Sequence, residues 1–286
     1  MEHHDLAAIS QHPTAFDALA AGYDDSFTNS ALGQLLRPRV WRKLAQYFQP
    51  GQHVLELACG TGEDAVWLAG QGVTVTATDG AAQMVRVAQA KVEARQYANR
   101  VLTKQLSLQQ ISQGEALGGA PFDGVYSNFG GLNTINTWAA LASSLAQLVK
   151  PGGMAILVVM GPLCPWEMIW HAAHGHFKTA FRRLDGAASA TIGQAFIPIW
   201  YPSARQLRTA FAPNFQHLST ESLGLWLPPS YLDHLVKRWP HLFHDLNRFE
   251  QFTARFTTGW GDHYMLTLQR SPEKGGLHVM SGGSPC

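Results

Sequence analysis

The sequence of 286 residues predicts an α/β fold in which a mostly parallel sheet carries helices on both faces. The first observation is that short apolar runs alternate with segments of helical periodicity between residues 51 and 160. The second is that stretches rich in glycine and proline at 70–72, 118–121 and 150–153 separate these pieces. Because parallel strands need a crossover connection, usually a helix, this alternation is typical of a parallel sheet.

The predicted elements follow one another in the order that such a sheet requires. The predicted strands are 53–58, 73–79, 101–107, 122–128, 154–160, 215–226 and 262–269. The predicted helices of the core are 62–70, 81–96, 134–149 and 203–211. The core therefore spans residues 51–160 and 201–270.

Segments outside this pattern predict additions to the core. Residues 1–50 have apolar positions at spacings of three and four, which predicts N-terminal lid helices. Residues 161–200, rich in aromatic residues, predict a helical cap insertion, and 228–258 predicts a second helical insert after two prolines. Residues 271–286, rich in glycine, serine and proline, predict a disordered tail.

A turn with spaced glycines follows the first predicted strand. At Gly60 and Gly62 backbone N–H groups can approach a ligand closely at a helix N-terminus, where a Cβ would block the approach. The second apolar run ends in Asp79, whose carboxylate can accept both hydroxyls of a ribose. The spacing Gly60-x-Gly62-x-x-Ala65 also fits a dinucleotide fingerprint, but Glu56 inside the first strand favours a cationic cofactor over a pyrophosphate.

Two later segments extend the pattern. The fourth strand ends at Ser127-Asn128, and the turn Leu148 to Gly153 leads into the fifth. Together with the glycine turn and its acid, these residues resemble class I S-adenosylmethionine-dependent methyltransferases, closest to the small-molecule branch. The resemblance implies a Rossmann-like sheet of seven strands that ends in an antiparallel pair. It also implies that S-adenosylmethionine is the cofactor.

The resemblance implies a cofactor site made of residues from the lid and from the ends of four strands. This site comprises Tyr23, Glu56, Ala58, Gly60, Gly62, Asp79, Gly80, Met84, Ser107, Leu108, Asn128 and Phe129. Glu56 would attract the cofactor ammonium, Asp79 would take the ribose hydroxyls and Met84 would lie against the adenine. Relatives usually place an acid near the adenine amino group where this chain has Ser107, so the serine hydroxyl or a water would have to serve.

The acceptor side is less determined by the sequence. Asn128 and Phe129 would face the methyl group, and Tyr23 in the lid would reach the cofactor carboxylate or close over the acceptor. The candidate catalytic residues are Tyr23, His171 and His174, the two histidines sharing one helix face. No metal is predicted, because the histidines lack a fourth ligand at a suitable spacing.

The sequence allows two interpretations of the aromatic residues in the cap. Trp166, Trp170 and Trp200 line a pocket for an apolar acceptor, or they form the packing of the cap itself. The insertion follows the fifth strand, at the edge of the sheet where ligands bind in such folds, which favours the pocket.

These observations predict transfer of a methyl group to an O, N or C atom of a small, apolar or aromatic metabolite. Proximity, in-line geometry and desolvation would dominate the rate. Two alternatives remain open: an inactive S-adenosylmethionine-binding regulatory module, and an NAD-dependent oxidoreductase that shares the glycine turn.

Composition narrows the partners and the compartment. A net charge of +1 argues against a nucleic-acid partner, and Arg37, Arg39, Arg42 and Lys43 are interpreted as a solvated helix face. The three cysteines are odd in number and not spaced for a metal, which indicates a reducing, cytoplasmic compartment. The longest apolar run, 154–160, is too short for a membrane span.

Overall fold

The computed structural model describes residues 15–111, 117, 121–192 and 195–272. Among these residues, seven strands form one sheet: β1 (His53–Leu57), β2 (Thr74–Asp79), β3 (Val101–Gln105), β4 (Phe122–Ser127), β5 (Val149–Met160), β8 (Phe215–Leu223) and β9 (His263–Arg270). Their spatial order is β3-β2-β1-β4-β5-β9-β8. The first five strands are parallel, and β9 runs antiparallel to both β5 and β8. The predicted α/β fold is confirmed, whereas the predicted disordered tail lies, from residue 273, outside the described residues.

Helices cover both faces of this sheet. They are α1 (Ala31–Tyr47), α2 (Glu63–Gly70), α3 (Ala82–Ala94), α4 (Trp138–Leu148), α5 (Pro165–Ala173), α6 (Phe177–Phe181), α7 (Ala204–Phe211), α8 (Asp233–Arg238) and α9 (Pro240–Thr253). Successive strand residues point to opposite faces, so Val54 packs in one buried cluster with α1 and α2 while Leu55 packs in another with α4 and α7. The parallel strands are therefore buried on both sides, which explains their continuous apolar runs.

The region before α1 is helical, as predicted, but is made of two short pieces. A 3₁₀ helix spans Ala15–Gly22, and one wider turn spans Asp24–Thr28. Ser30 then caps α1 by accepting a hydrogen bond from the backbone N–H of Gly33 at 2.9 Å. A serine at this position satisfies one of the free amides at the start of the helix.

The cap insertion is helical only in its first half. After α5 and α6 the chain forms an antiparallel hairpin of β6 (Ala187–Ile192) and β7 (Ala195–Trp200). Pro198 lies inside β7, where it would break a helix by removing a backbone donor. Because a two-stranded hairpin is only marginally stable alone, its contacts with the core decide its position.

The interpretation of the basic cluster on α1 as a solvated face is wrong for three of its four members. Arg37, Arg39 and Lys43 are buried, and each is paired with a carboxylate. Arg39 Nη1 lies 2.8 Å from Glu250 of α9, and Lys43 Nζ lies 2.6 Å from Glu221 of β8. Elements that are distant in sequence therefore cover this face of α1, and a local charge pattern does not predict such long-range contacts.

In the part of the chain that the structure describes, no helix combines the length and the apolar character needed to cross a membrane.

Candidate active site

A cavity of about 430 Å³ opens at the carboxyl ends of β1, β2, β4 and β5. The lid residues Phe16 and Tyr23 contribute one wall, and Ile197 and Ile199 of the hairpin contribute another. Eleven of the twelve predicted cofactor residues line it: Tyr23, Glu56, Ala58, Gly60, Asp79, Gly80, Met84, Ser107, Leu108, Asn128 and Phe129. The topology therefore brings to one place residues that lie more than 100 positions apart in the sequence.

Gly62 is the predicted cofactor residue that does not line the cavity. It caps α2 in the left-handed region, with a φ of 75°. A Cβ added to Gly62 would stand 2.8 Å from the Cβ of Ala88 on α3, closer than two such atoms approach. The glycine is required here for backbone conformation and for helix packing, whereas Gly60, with a φ of 53°, borders the cavity itself.

The carboxylate of Asp79 holds the glycine turn against the end of β2. Its Oδ2 accepts the backbone N–H of Gly60 at 2.8 Å, and its Oδ1 accepts that of Ala81 at 2.9 Å. Burial raises the pKa of Asp79, while these backbone donors act in the opposite direction. Each carboxylate oxygen retains a further acceptor position, so Asp79 can support the turn and still accept ribose hydroxyls.

Glu56 lies beneath the glycine turn with almost no exposure to solvent. Its Oε2 atom makes no hydrogen bond within the described part of the chain. Burial, and then the negative charge of Asp64, raise the pKa of Glu56 well above its ordinary value. With one oxygen unpaired beside the cavity, this carboxyl group can ionise against a cationic ligand, and this is the fit expected for a cofactor that carries an ammonium and a sulfonium.

A second acid in this wall, Asp64, was not found from the sequence. It lies in the first turn of α2, and its side chain joins three partners from other elements. Oδ1 accepts Nη1 of Arg37 at 2.8 Å and Nε1 of Trp41 at 2.6 Å, and Oδ2 accepts Nδ2 of Asn128 at 2.9 Å. The only sequence signal is an acid near a helix N-terminus, which has an ordinary explanation in the helix dipole.

Arg37 brings a positive charge to the cavity wall. Its guanidinium lies 5.3 Å from the ring centre of Phe27 and 5.2 Å from that of Phe129, and Nη2 donates to the Thr28 hydroxyl at 3.1 Å. Asp64 fixes its other side. A planar cation held in this way can bind a carboxylate, such as that of a methionyl group, without being reorganised.

The N-terminal lid is attached to the rim of the cavity at two points. Asp17 accepts the backbone N–H of Gln83 at the start of α3, at 2.7 Å. Asp24 accepts the Thr61 hydroxyl at 2.7 Å and pairs with Lys91 at 2.8 Å. Between these attachments the lid places Tyr23 in the cavity lining, where burial raises the pKa of its hydroxyl, so the phenol is neutral at pH 7.

The predicted adenine side is formed by small and apolar groups. Met84 is buried in a cluster with Ala20 of the lid and with Ala81. The Ser107 hydroxyl is already engaged, because it donates to Oε1 of Gln110 at 2.9 Å. Leu106 and Leu108 line the cavity on either side of this serine.

The predicted acceptor residues of the cap do not lie in the cavity lining. Trp166 packs on Phe243 of α9, at 6.1 Å between ring centres. Trp170 packs on the ring of His174, and Nε2 of His171 lies 3.1 Å from the hydroxyl of Tyr231. Trp166 and His171 therefore contact the second insert, whereas Trp170 and His174 pack on each other within the cap. Trp200 does not line the cavity either, and its backbone carbonyl accepts a hydrogen bond from Asn133 of the core.

The hairpin forms the wall that had been expected from the tryptophans. The buried amide of Asn133 bridges the core and the hairpin: Nδ2 donates to the carbonyls of Met160 and Trp200, and Oδ1 accepts from the Met160 N–H at 3.0 Å. Ile197 and Ile199 of β7 are thereby held over the end of β5. The alternation of Ile197 and Ile199 on one side of a strand was the available signal.

The comparisons with known proteins agree with this geometry. The family described as methyltransferase domain matches residues 54–153. A demethylmenaquinone methyltransferase of Mycobacterium tuberculosis is 30% identical over 239 residues, covering 81% of this chain and 86% of that protein. The chain belongs to the class I S-adenosylmethionine-dependent methyltransferases. This methyltransferase is therefore an enzyme that uses S-adenosylmethionine, and the NAD-dependent alternative is wrong.

Two further matches extend this result. The ubiquinone/menaquinone biosynthesis C-methyltransferase UbiE of Geotalea daltonii is 26% identical over 215 residues, which are 71% of this methyltransferase and 88% of that protein. Among solved structures, the CcbJ methyltransferase from Streptomyces caelestis covers 91% of this chain and 98% of its own, with a TM-score of 0.59. At 15% identity, that likeness shows the fold alone.

Proposed function

We propose that this methyltransferase methylates an O, N or C atom of a small, largely apolar acceptor. The observation that carries the proposal is the division of the cavity into two ends. The carboxyl ends of β1 and β2 present Glu56 and Asp79, whereas the ends of β4 and β5 and the hairpin present Phe129, Met160 and Ile199. The polar end suits the cofactor, so the apolar end is left for the acceptor.

The relatives support the small-molecule character of this acceptor. One is named a ubiquinone/menaquinone biosynthesis C-methyltransferase, and another is named a demethylmenaquinone methyltransferase. An aromatic or quinone-like ring would bury its faces against Phe129 and the two isoleucines of β7, which is the environment that such rings favour.

The chain contributes position and water exclusion rather than a dedicated base. When bound, S-adenosylmethionine supplies an electrophilic methyl group on a sulfonium. Among the described lining residues the titratable groups are Tyr23, Arg37, Glu56, Cys59, Asp64 and Asp79. None of these comes from the hairpin or from the end of β5, so we propose that orientation supplies most of the rate enhancement. Tyr23, as a neutral phenol, can donate a hydrogen bond to the acceptor or to the cofactor carboxylate.

The test is transfer of a labelled methyl group to a panel of simple phenols, quinols and indoles, with carboxylated analogues of each as matched polar acceptors. We expect transfer to the apolar members. The variant Ile199→Asn should raise the KM for the acceptor while the Kd for S-adenosylmethionine stays unchanged. Equal rates on the polar analogues, or an unchanged KM in the variant, would contradict the assignment of the apolar end.

A further inference from the structure

The second insert presents an apolar face that the described chain leaves half or more exposed, although the Phe249 ring packs against Trp226 at 5.5 Å between ring centres. On α9 the side chains of Leu242, Phe249 and Phe252 are 52%, 50% and 77% exposed. Phe256, just beyond the helix, is 87% exposed, and Trp239, just before it, is 51% exposed. We call these five residues the aromatic face. Single exposed apolar residues are ordinary, but five within 18 positions of one insert form a patch, and patches of this kind mark binding surfaces.

The aromatic face has the geometry of one side of an amphipathic helix. Leu242, Phe249 and Phe252 are separated by seven and three residues, so they lie along one stripe of α9. An adjacent stripe, about 100° around the helix, holds Phe243, Asn247 and Glu250, which are buried. The two faces are therefore distinct, and the exposed one is not needed to hold the insert in place.

The insert also carries exposed positive charges, while the exposed acid Asp245 lies on the same stripe of α9 as Leu242 and Phe249. Lys237, Arg238, Arg248 and Arg255 are all exposed within the insert. The structure describes the whole insert, which contains three acids. Glu250 is buried and paired with Arg39, and Asp233 accepts the backbone N–H of Leu32 and pairs with Lys237. Asp245 is the exposed acid.

Arg238 and Arg248 have no carboxylate partner among the residues that the structure describes. Lys237 pairs with Asp233 and Arg255 lies 3.7 Å from Glu221, which leaves Arg238 and Arg248 as the unpaired cations of the described insert. Apolar side chains beside such cations suit a surface that offers both hydrocarbon and negative charge.

We propose that the aromatic face docks this methyltransferase on an anionic membrane surface. The phenyl groups of Phe252 and Phe256 project as separate side chains, and a fluid apolar layer accepts such groups without a matching pocket. A second copy is a poorer occupant, because a two-fold contact would bring the basic side chains of one insert against those of the other. The proposal concerns attachment, and it holds whatever acceptor the active site takes.

The test is sedimentation of the full-length protein with vesicles of phosphatidylcholine alone and of phosphatidylcholine mixed with phosphatidylglycerol. We expect binding to the mixed vesicles and much less to the neutral ones. Added salt should release the protein, because screening weakens charge attraction to the lipid surface.

The decisive variant carries Phe252→Ser and Phe256→Ser together. Its affinity for the anionic vesicles should be lower by roughly tenfold or more, because two phenyl groups that the lipid would bury are lost. Phe177→Ser is the matched control, because Phe177 is 62% exposed but lies on α6 in the cap. That control should bind like the parent protein. The single change Arg248→Gln should lower binding to anionic vesicles by about fivefold and leave binding to neutral vesicles unchanged.

All of these variants lie outside the cavity lining, so thermal unfolding and the Kd for S-adenosylmethionine report whether each has folded. The proposal is overturned if the parent protein does not bind anionic vesicles, or if the double variant binds them as well as the parent does. A concentration-dependent dimer that the double variant abolishes, in a protein without vesicle binding, would instead assign the aromatic face to a second copy.

Discussion

Asn128 donates a hydrogen bond from Nδ2 to Oδ2 of Asp64 at 2.9 Å, and this contact determines which side of the amide faces away from α2. A carboxylate only accepts hydrogen bonds, so the Asn128 amide cannot turn without setting oxygen against oxygen. Its Oδ1 is consequently held as an acceptor without a partner among the described residues. The other oxygen of Asp64 holds Arg37, so one acid orients two groups of the cavity wall.

The ion pair of Asp64 with Arg37 gives a stability prediction. Asp64→Asn leaves the guanidinium buried without its counter-charge, and removing one partner of a buried pair costs about 3–5 kcal/mol. Lys150→Met is the matched control, because it breaks a pair with Asp123 in which the lysine is half exposed; the expected cost is below about 1 kcal/mol. Urea unfolding measures both. Similar values for the two variants would show that burial of the first pair does not matter.

The role of Asp79 is tested by cofactor binding. Asp79→Ala removes acceptors for the ribose and also releases the N–H groups of Gly60 and Ala81. Because charge-assisted hydrogen bonds contribute about 1.5–3 kcal/mol each, the Kd for S-adenosylmethionine should rise roughly tenfold or more. His171→Ala and His174→Ala should leave that Kd unchanged, since neither residue lines the cavity. Calorimetric titration decides, and an unchanged Kd in Asp79→Ala would exclude the ribose assignment.

The buried carboxyl of Glu56 predicts a pH dependence of stability. Burial, together with the nearby Asp64, holds the pKa of Glu56 well above its ordinary value of 4.5. As the pH rises past 4.5 the unfolded chain releases this proton before the folded chain does, so the free energy of unfolding falls until the folded pKa is passed. Glu56→Gln cannot ionise and should lack this part of the decline.

The measurement is the difference in unfolding free energy between Glu56→Gln and the parent protein, followed from pH 5 to pH 8. The variant should gain relative stability over this window, because Glu56 of the parent protein has lost its proton in the unfolded chain but keeps it in the folded one. A difference that stays constant with pH would mean that Glu56 titrates alike in the folded and unfolded chains.

Gly62 and Gly51 form a matched pair for the packing argument. Both have a positive φ, of 75° and 87°, but a Cβ would meet Ala88 at 2.8 Å in the first case and open space in the second. Gly51→Ala should cost only the conformational term, about 1–2 kcal/mol. Gly62→Ala should cost clearly more, because α2 and α3 must also separate. Equal costs by thermal or urea unfolding would remove the steric part of this explanation.

The fold was predictable from the sequence to a large extent, because its signals are local. Apolar runs such as Val54–Leu57 predict buried strands. Gly60 together with Asp79 predicts a nucleoside site, because a glycine and a carboxylate have few other uses at this spacing. The hairpin was missed because residues 187–200 carry aromatic and β-branched residues within a segment whose start is truly helical. In a short apolar segment, periodicity alone does not distinguish a strand from a helix.

The position of the cap and the state of the charges depended on the tertiary structure. Arg37 and Asp64 look like ordinary surface residues of two helices, and only the packing of α1 on α2 makes them a buried pair. Trp166 and His171 have the chemistry of an acceptor pocket, but α5 turns them towards the second insert, while Ile199 of the hairpin reaches the cavity. The sequence by itself determined the succession of strands and helices and the glycine turn, because these follow from spacing along the chain, and its resemblance to a known family implied the cofactor. Burial and ion pairing depend on contacts between elements that are distant in the sequence, so only the tertiary structure determines them.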